Sequence, residues 1–275
     1  MANLPEIVPN SLEITGLLCS AGLLAASVAA SATKRRSASF ALGSAAIALG
    51  VAVLIGHSMA RGDWLPLDDN FDALGFLGIL LAAAVLYIQF ARPVGGLDWF
   101  VLPISAFMLI EAAIFGRTVP HQYAETAWSW THRLTAYTGA LALAVAGAVG
   151  AMYLVALRRL RSKNLNASTS LGSLERLESI AQYSLAIGWP LFTVGLITGL
   201  LWGIHRQAIL GNSQPVFFAP KILLAVGVWI AFALALHTPI NPSFRGRKAA
   251  ALSLVGLLLV AATLIVVQFM PEASH

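Results

Sequence analysis

About eight stretches of roughly twenty residues, each nearly free of charged side chains, restrict what this chain can fold into. A run of that length crosses a hydrocarbon core only as an α-helix or as part of a closed barrel. Lipid offers no hydrogen-bond partner to backbone N–H and C=O groups. Barrel strands alternate apolar and polar residues over about ten positions, and these runs do not alternate. The chain is therefore expected to be an all-α, polytopic transmembrane helix bundle of about eight spans. They lie near Ser11–Ser31, Ser39–Ala60, Phe71–Ala91, Leu97–Gly116, Thr131–Leu157, Ala181–Gly203, Val216–His237 and Ala249–Met270. Only 11% of residues are charged and 58% are hydrophobic, so little is left for a soluble domain. Residues 1–275 read as one transmembrane domain.

Lys and Arg set the expected orientation. Alternate loops collect Lys34, Arg35, Arg36, Arg92, Arg158, Arg159, Arg161, Lys163, Arg245, Arg247 and Lys248. The intervening loops hold fewer: Arg61, Arg117, Arg133, Arg206 and Lys221. The richer set is assigned to the cytoplasm, which places both termini on the outer side. The net charge of +5 is then a property of inner loops, and no basic, aromatic-interleaved surface of the nucleic-acid type is present. Glu6 and Glu13 precede the first run and no basic n-region does, so that run is expected to be retained as a helix. The reading is a multi-pass integral membrane protein, placed in a bacterial cytoplasmic (inner) membrane with the lipid bilayer as its first partner.

The single cysteine, Cys19, excludes an intramolecular disulfide and CxxC chemistry, and is expected to be a buried small apolar residue. The longest polar stretch runs from Arg158 to about Ser179. Its second half has helical spacing, with Leu174, Leu177 and Ala181 on one face and Glu175 and Glu178 on another. Ser173 is placed to cap it. A short amphipathic cytoplasmic helix, about 173–181, is expected to lead into the sixth span.

Ionisable groups inside a membrane are costly and mark functional candidates. Glu111 lies near the outer end of the fourth span. His57 ends the second span, His121 and His132 flank a Trp-containing loop, and His205 follows the sixth span. All four fall on the predicted outer side, whereas His237 ends the seventh span on the cytoplasmic side. An imidazole nitrogen is a good axial ligand for haem iron. Two histidines at similar depth, such as His57 and His132, suit a bis-histidine arrangement. The competing reading for each is an interfacial histidine that hydrogen-bonds or snorkels. For Trp64, Trp128, Trp130 and Trp202 it is an aromatic belt. No HExxH, P-loop or dinucleotide glycine pattern occurs, and Gly139 to Gly150 reads as a helix-packing surface.

The stretch from Ser173 to Gly203, SLERLESIAQYSLAIGWPLFTVGLITGLLWG, resembles the cytochrome c assembly family, whose members include CcsA-like and HemX-like membrane proteins. Leu174, Glu175 and Leu177 match that family's amphipathic lead-in. Gly188, Pro190, Thr193, Gly195, Gly199 and Trp202 match its span motif. Trp64-Leu-Pro-Leu with Asn70 and Phe71 is similar to the approach to the family's third helix. His132 matches an outer histidine, and Pro220-Lys221, Trp229 and His237 match a further span with its terminal histidine. The resemblance runs from about His57 onward. It implies haem b as cofactor, held near the outer face by histidines, and apocytochrome c or other assembly proteins as partners. The residues implied are His132 and His57, then His205, with His237 at an inner site, as iron ligands. Trp128, Trp130, Phe217 and Phe218 would lie against the porphyrin, and Arg133 and Arg206 against its propionates.

Where the family carries several Trp and an acidic residue before Pro-Lys, this chain has Phe217, Phe218 and Ala219, and Ile222 replaces the following Glu. The second outer histidine, expected before the last span, is missing. The resemblance therefore leaves two roles open. One is haem handling in cytochrome c assembly or haem delivery, with lyase-like catalysis of a chaperone kind at most and no assigned catalytic residue. The other is a non-catalytic HemX-like regulator or assembly subunit without bound haem. A small-molecule transporter is a third class, disfavoured by the scarcity of midplane charges.

Overall fold

The computed structural model describes residues 9–61, 70–91, 93–116, 127–162, 173–210, 218–237 and 246–269, with backbone alone at Arg61, Asn70, Ser129, 206–210 and 267–269. Eight helices account for nearly all of these: α1 Ser11–Ala32, α2 Arg36–Arg61, α3 Asn70–Ala91, α4 Leu97–Phe115, α5 Ala127–Arg161, α6 Leu174–Leu210, α7 Pro220–Leu236 and α8 Arg247–Phe269. Each matches one of the eight apolar runs, and the described residues include no strand. Seven helices are long and apolar enough to cross a membrane, and the chain is an integral membrane protein. The other, α7, is an apolar helix of 17 residues, at the short end of what spans about 30 Å of hydrocarbon.

The chain divides into two compact units, Met1–Gln122 and Tyr123–His275. In the first, α1 packs on α2 and α4, and α3 packs on α2 and α4, which closes a four-helix ring. Its core comes mainly from α3 and α4, with Phe71, Leu81, Leu97, Leu102 and Leu109 nearly fully buried. Leu17 and Leu24 of α1 complete it. At the end assigned to the cytoplasm, Arg36 donates to the Gln89 carbonyl (2.9 Å) near the C-terminus of α3, where the helix dipole favours a cation. The Trp99 indole donates to Ser31 Oγ there (3.2 Å), tying α4 to α1. Ser20 donates to the Ala46 carbonyl and Ser27 to the Ser39 carbonyl, polar ties between α1 and α2 of the kind that replace the missing hydrophobic effect in lipid.

In the second unit α5 packs along α6 and α8, and α7 packs on α6 and α8. Leu143, Leu185, Phe232 and Val260 bring the four helices into one core. Small residues set the α5–α6 approach. A Cβ on Gly195 would lie 2.7 Å from Ala136 Cα, one on Gly139 2.5 Å from Phe192 N, and one on Gly188 2.9 Å from Ala142 Cβ. Gly147 meets Leu257 and Gly150 meets Ala250 in the same way on α8. The glycine run of α5 is thus a packing surface.

The expected segment at 173–181 is the first turns of α6, which continues unbroken to Leu210. Ser173 Oγ accepts from the Arg176 N–H (3.3 Å), and Leu177 is fully buried while Glu175 is exposed. At about 1.5 Å per residue, a helix of 37 residues is much longer than the hydrocarbon core is thick. Cys19 departs from expectation: it is exposed on α1, not buried. In a bilayer an apolar side chain gains as much from lipid as from the protein interior, so apolarity there does not predict burial.

Candidate functional site

His132 sits in the second turn of α5 and turns its ring onto α6. Its Nδ1 lies 2.9 Å from the Gly195 carbonyl oxygen and 3.3 Å from Thr198 Oγ1. A carbonyl only accepts, so Nδ1 carries the proton and donates; in the neutral ring Nε2 then keeps its lone pair. Thr198 in turn donates to the Val194 and Gly195 carbonyls (2.7 and 3.0 Å), so its oxygen presents a lone pair to the imidazole. Gly199 makes room for the ring: a Cβ there would be 2.6 Å from His132 Cε1. Two residues of the α6 motif, Gly195 and Gly199, thus shape with Thr198 one cradle for one imidazole.

The neighbourhood is aromatic and cationic. The Arg133 guanidinium lies over the Trp130 ring, 5.7 Å from its centroid. Arg133 and Lys221 bring positive charge close to His132. Trp128, on the turn before, is exposed. His205 is exposed and lies on α6 seven residues beyond Thr198, two helical turns along the same face. Phe218, just before α7, is largely exposed. His237 belongs elsewhere: it caps the opposite end of α7, exposed, with Nδ1 2.7 Å from the Ala233 carbonyl. Trp64, His121, Phe217 and the Arg206 side chain lie outside the described residues.

Deeper in this unit, α6 and α7 are joined by a motif whose partnership sequence reading missed. Trp229 Nε1 donates to Thr193 Oγ1 (2.9 Å), Thr193 donates to the Trp189 carbonyl (2.7 Å), and Trp189 Nε1 reaches the Trp229 carbonyl (3.3 Å). The two indoles are 5.2 Å apart, tilted by 33°. Trp189 beside Pro190 was the available signal, since a buried indole N–H needs an acceptor.

His57 has a different setting, within the first unit. It is 1% exposed, with Nδ1 3.1 Å from Glu13 Oε1 and its ring 4.6 Å from that of Phe71. Glu13 serves two ends at once. Its Oε2 accepts from the Asn10 N–H (2.8 Å) while Asn10 Oδ1 accepts from the Glu13 N–H (2.9 Å), a reciprocal cap on α1. Asn10 three residues before Glu13, at the edge of an apolar run, was the sequence signal for that cap. Glu111 is 2% exposed and neither carboxyl oxygen has a hydrogen-bond partner. Among the described residues, no group of three or more His, Cys, Asp or Glu is arranged to hold a metal ion.

Compared with known families, residues 9–275 match the cytochrome C assembly protein family. The chain belongs to that family. Curated relatives agree: it is 22% identical over 250 residues to the cytochrome c biogenesis protein CcsA of Guillardia theta, which covers 82% of this chain and 80% of that protein. Proteins of the same name from Pyropia yezoensis and Synechococcus sp. (strain CC9605) match at 30% over 115 residues and 27% over 108. Those two alignments cover 42% and 39% of this chain and 34% of each relative, so they span about a third of those proteins. No solved structure matches. Family membership places the chain's role in cytochrome c assembly. All eight described helices fall within the matched residues.

Proposed function

We propose that this member of the cytochrome c assembly family binds haem b at the outer end of its second unit, with His132 as an axial ligand and His205 as the second. The observation that carries the reading is the bond from His132 Nδ1 to the Gly195 carbonyl. It fixes the tautomer and leaves Nε2 as the ligating nitrogen, the arrangement by which proteins orient an imidazole toward iron. His205 lies on the same face of α6 and is exposed. His57, by contrast, is buried and engaged by Glu13 and Phe71. Trp128, Trp130 and Phe218 offer stacking surface, and Arg133 and Lys221 supply positive charge for two propionates. The bound group supplies the iron porphyrin that cytochrome c assembly consumes; the chain holds and presents it on the outer side, in a cytoplasmic membrane, to apocytochrome c or another assembly protein.

One observation favours the second reading, a regulator or assembly subunit without haem. Ala219 stands at the N-cap of α7, where the resemblance implies an acid, and no side chain caps that helix. Reduced-minus-oxidised spectra of protein purified in mild detergent from haem-supplied cells separate the two. The haem reading expects a low-spin bis-histidine spectrum that survives His57→Ala and His237→Ala and is lost in His132→Ala and His205→Ala. A flat spectrum from folded protein, with one stoichiometric partner retained, establishes the second reading instead. Retention of the spectrum in His205→Ala removes His205 as the second ligand.

A further inference from the structure

In the second unit the shortest helix leaves a gap. Among the eight described helices α7 has the fewest residues, 17, or about 25 Å of length. A Cβ on Gly256 of α8 would meet the Phe232 ring, and the Trp189 indole of α6 reaches the Trp229 carbonyl. Antiparallel counting from these contacts sets Leu236, the last residue of α7, level with Leu252 of α8 and Gln182 of α6. Beyond that level α6 continues to Leu174, α8 to Arg247 and α5 to Arg161. Three helices go on where the fourth stops, and α6 and α8 both pack on α5.

A cleft of about 310 Å3, part of it open to solvent, occupies that place between α5, α6 and α8. Leu185 and Ser253 are among its deepest residues, and Tyr153, Glu178 and Gly246 stand nearer its mouth. Gly246, at φ 69°, brings the start of α8 against Tyr153: a Cβ there would be 2.9 Å from the tyrosine hydroxyl. Ser253 is 2% exposed, and no hydrogen bond among the described residues uses its hydroxyl. Glu178 is already engaged by a neighbour. The end that carries the mouth is basic. Arg158, Arg161, Arg176, Arg247 and Lys248 are exposed there and Arg159 is half-buried, against the two carboxylates of Glu175 and Glu178. Tyr183, five residues inward of Glu178 on α6, is 71% exposed, as a ring at the lipid interface is. The cleft therefore straddles the boundary between headgroups and acyl chains.

We propose that this cleft binds one glycerophospholipid with an anionic headgroup, taken from the leaflet at the end assigned to the cytoplasm. The charged headgroup lies at the first turn of α8 beside Arg247, where the helix dipole and the basic rim favour an anion. The ester carbonyls sit deeper and only accept hydrogen bonds, so they suit the uncommitted hydroxyl of Ser253. The walls at Leu177 and Leu185 are apolar and receive the start of an acyl chain. The site is independent of the haem reading, because it lies at the opposite end of the unit from His132 and uses none of the residues assigned to haem there.

Native mass spectrometry of the full chain in a neutral detergent, titrated with dioleoyl phosphatidylglycerol or dioleoyl phosphatidylcholine, tests the site. The wild type is expected to retain one phosphatidylglycerol in preference to phosphatidylcholine. Arg247→Gln should weaken phosphatidylglycerol binding about fivefold. Arg158→Gln removes the same charge at the same end, but about 140° round α5 from Tyr153, and should leave binding unchanged. Ser253→Ala should weaken both lipids alike, by about two- to tenfold, because both carry the ester carbonyls. Three results overturn the proposal: equal retention of the two lipids by the wild type, a loss in Arg158→Gln as large as in Arg247→Gln, or unaltered binding in Ser253→Ala. Should Ser253→Ala fail to fold, the comparison of Arg247→Gln with Arg158→Gln, both at exposed positions, decides the matter without it.

Discussion

Two alanine substitutions four residues apart on α6 should behave differently, and the difference tests whether the His132 cradle is built as described. At Gly195 the new Cβ would be 2.7 Å from both the backbone N and Cα of Ala136. Backbone cannot rotate away, so α5 and α6 must separate. Overpacking of this kind costs about 1–3 kcal/mol, reduced by up to about 1 kcal/mol for the better helix propensity of Ala. At Gly199 the obstacle is the His132 ring, 2.6 Å away at Cε1. A ring on two rotatable bonds retreats by about 1 Å to reach ordinary contact distance. That movement stretches the 2.9 Å bond to the Gly195 carbonyl beyond hydrogen-bond range. Losing it costs about 0.5–1.5 kcal/mol, largely offset by propensity. Gly195→Ala is thus expected to lower unfolding free energy by about 1–2 kcal/mol, and Gly199→Ala by less than about 1 kcal/mol. Reversible unfolding in mixed micelles measures both. 15N NMR of histidine-labelled protein then reads the tautomer: Gly199→Ala should shift the His132 Nδ1 resonance. Equal destabilisation by the two variants, or an unchanged His132 resonance in Gly199→Ala, refutes the cradle.

Other expectations follow from single contacts. Trp229→Phe removes the 2.9 Å donation to Thr193 Oγ1 and should cost about 0.6–1.7 kcal/mol; a double-mutant cycle with Thr193→Val should show coupling of that size, and additivity would remove the bond from the account. Glu13→Ala loses both the α1 cap and the His57 partner, and should destabilise by more than Asn10→Ala, which loses only the cap, about 0.5–2 kcal/mol; thermal scans of the two variants give the order. Cys19 is exposed on a membrane-spanning helix, so in bilayers a water-soluble maleimide should leave it unmodified, since the reactive thiolate does not form in lipid; rapid labelling in intact bilayers would place that face of α1 in water.

The helices were legible because lipid makes the rule simple: about twenty uncharged residues must be helical, whatever their order. For the same reason the periodicity that separates inside from outside in a soluble protein was weak. Cys19 was misplaced on that account, and nothing in the sequence distinguished the buried Leu17 from the exposed Leu18. Polar residues carried more information, but only one by one. His57 and Glu111 stood out as costly groups. Their neighbours did not, since Glu13 is 44 positions from His57 in the chain (57 − 13) and meets it only when α1 and α2 pack. His237 was readable as the end of a span, whereas the commitment of its Nδ1 to the Ala233 carbonyl depends on local helix geometry.

The α6 motif shows why a family pattern mixes structure with function. Gly188, Gly195 and Gly199 are spaced by seven and four residues, which puts them on one helix face, and that face lies against α5. Gly188 and Gly195 meet Ala142 and Ala136, small residues on the partner helix, so their missing side chains serve close approach. Gly199 meets an imidazole. The approach made possible by the first two brings the Gly195 carbonyl within 2.9 Å of His132, and the space left by the third lets the ring lie flat enough to reach it. Packing and site chemistry are therefore coupled through one helix contact. A substitution that parts α5 from α6 at Gly195 also releases the proton on His132 Nδ1, although it never touches the ring.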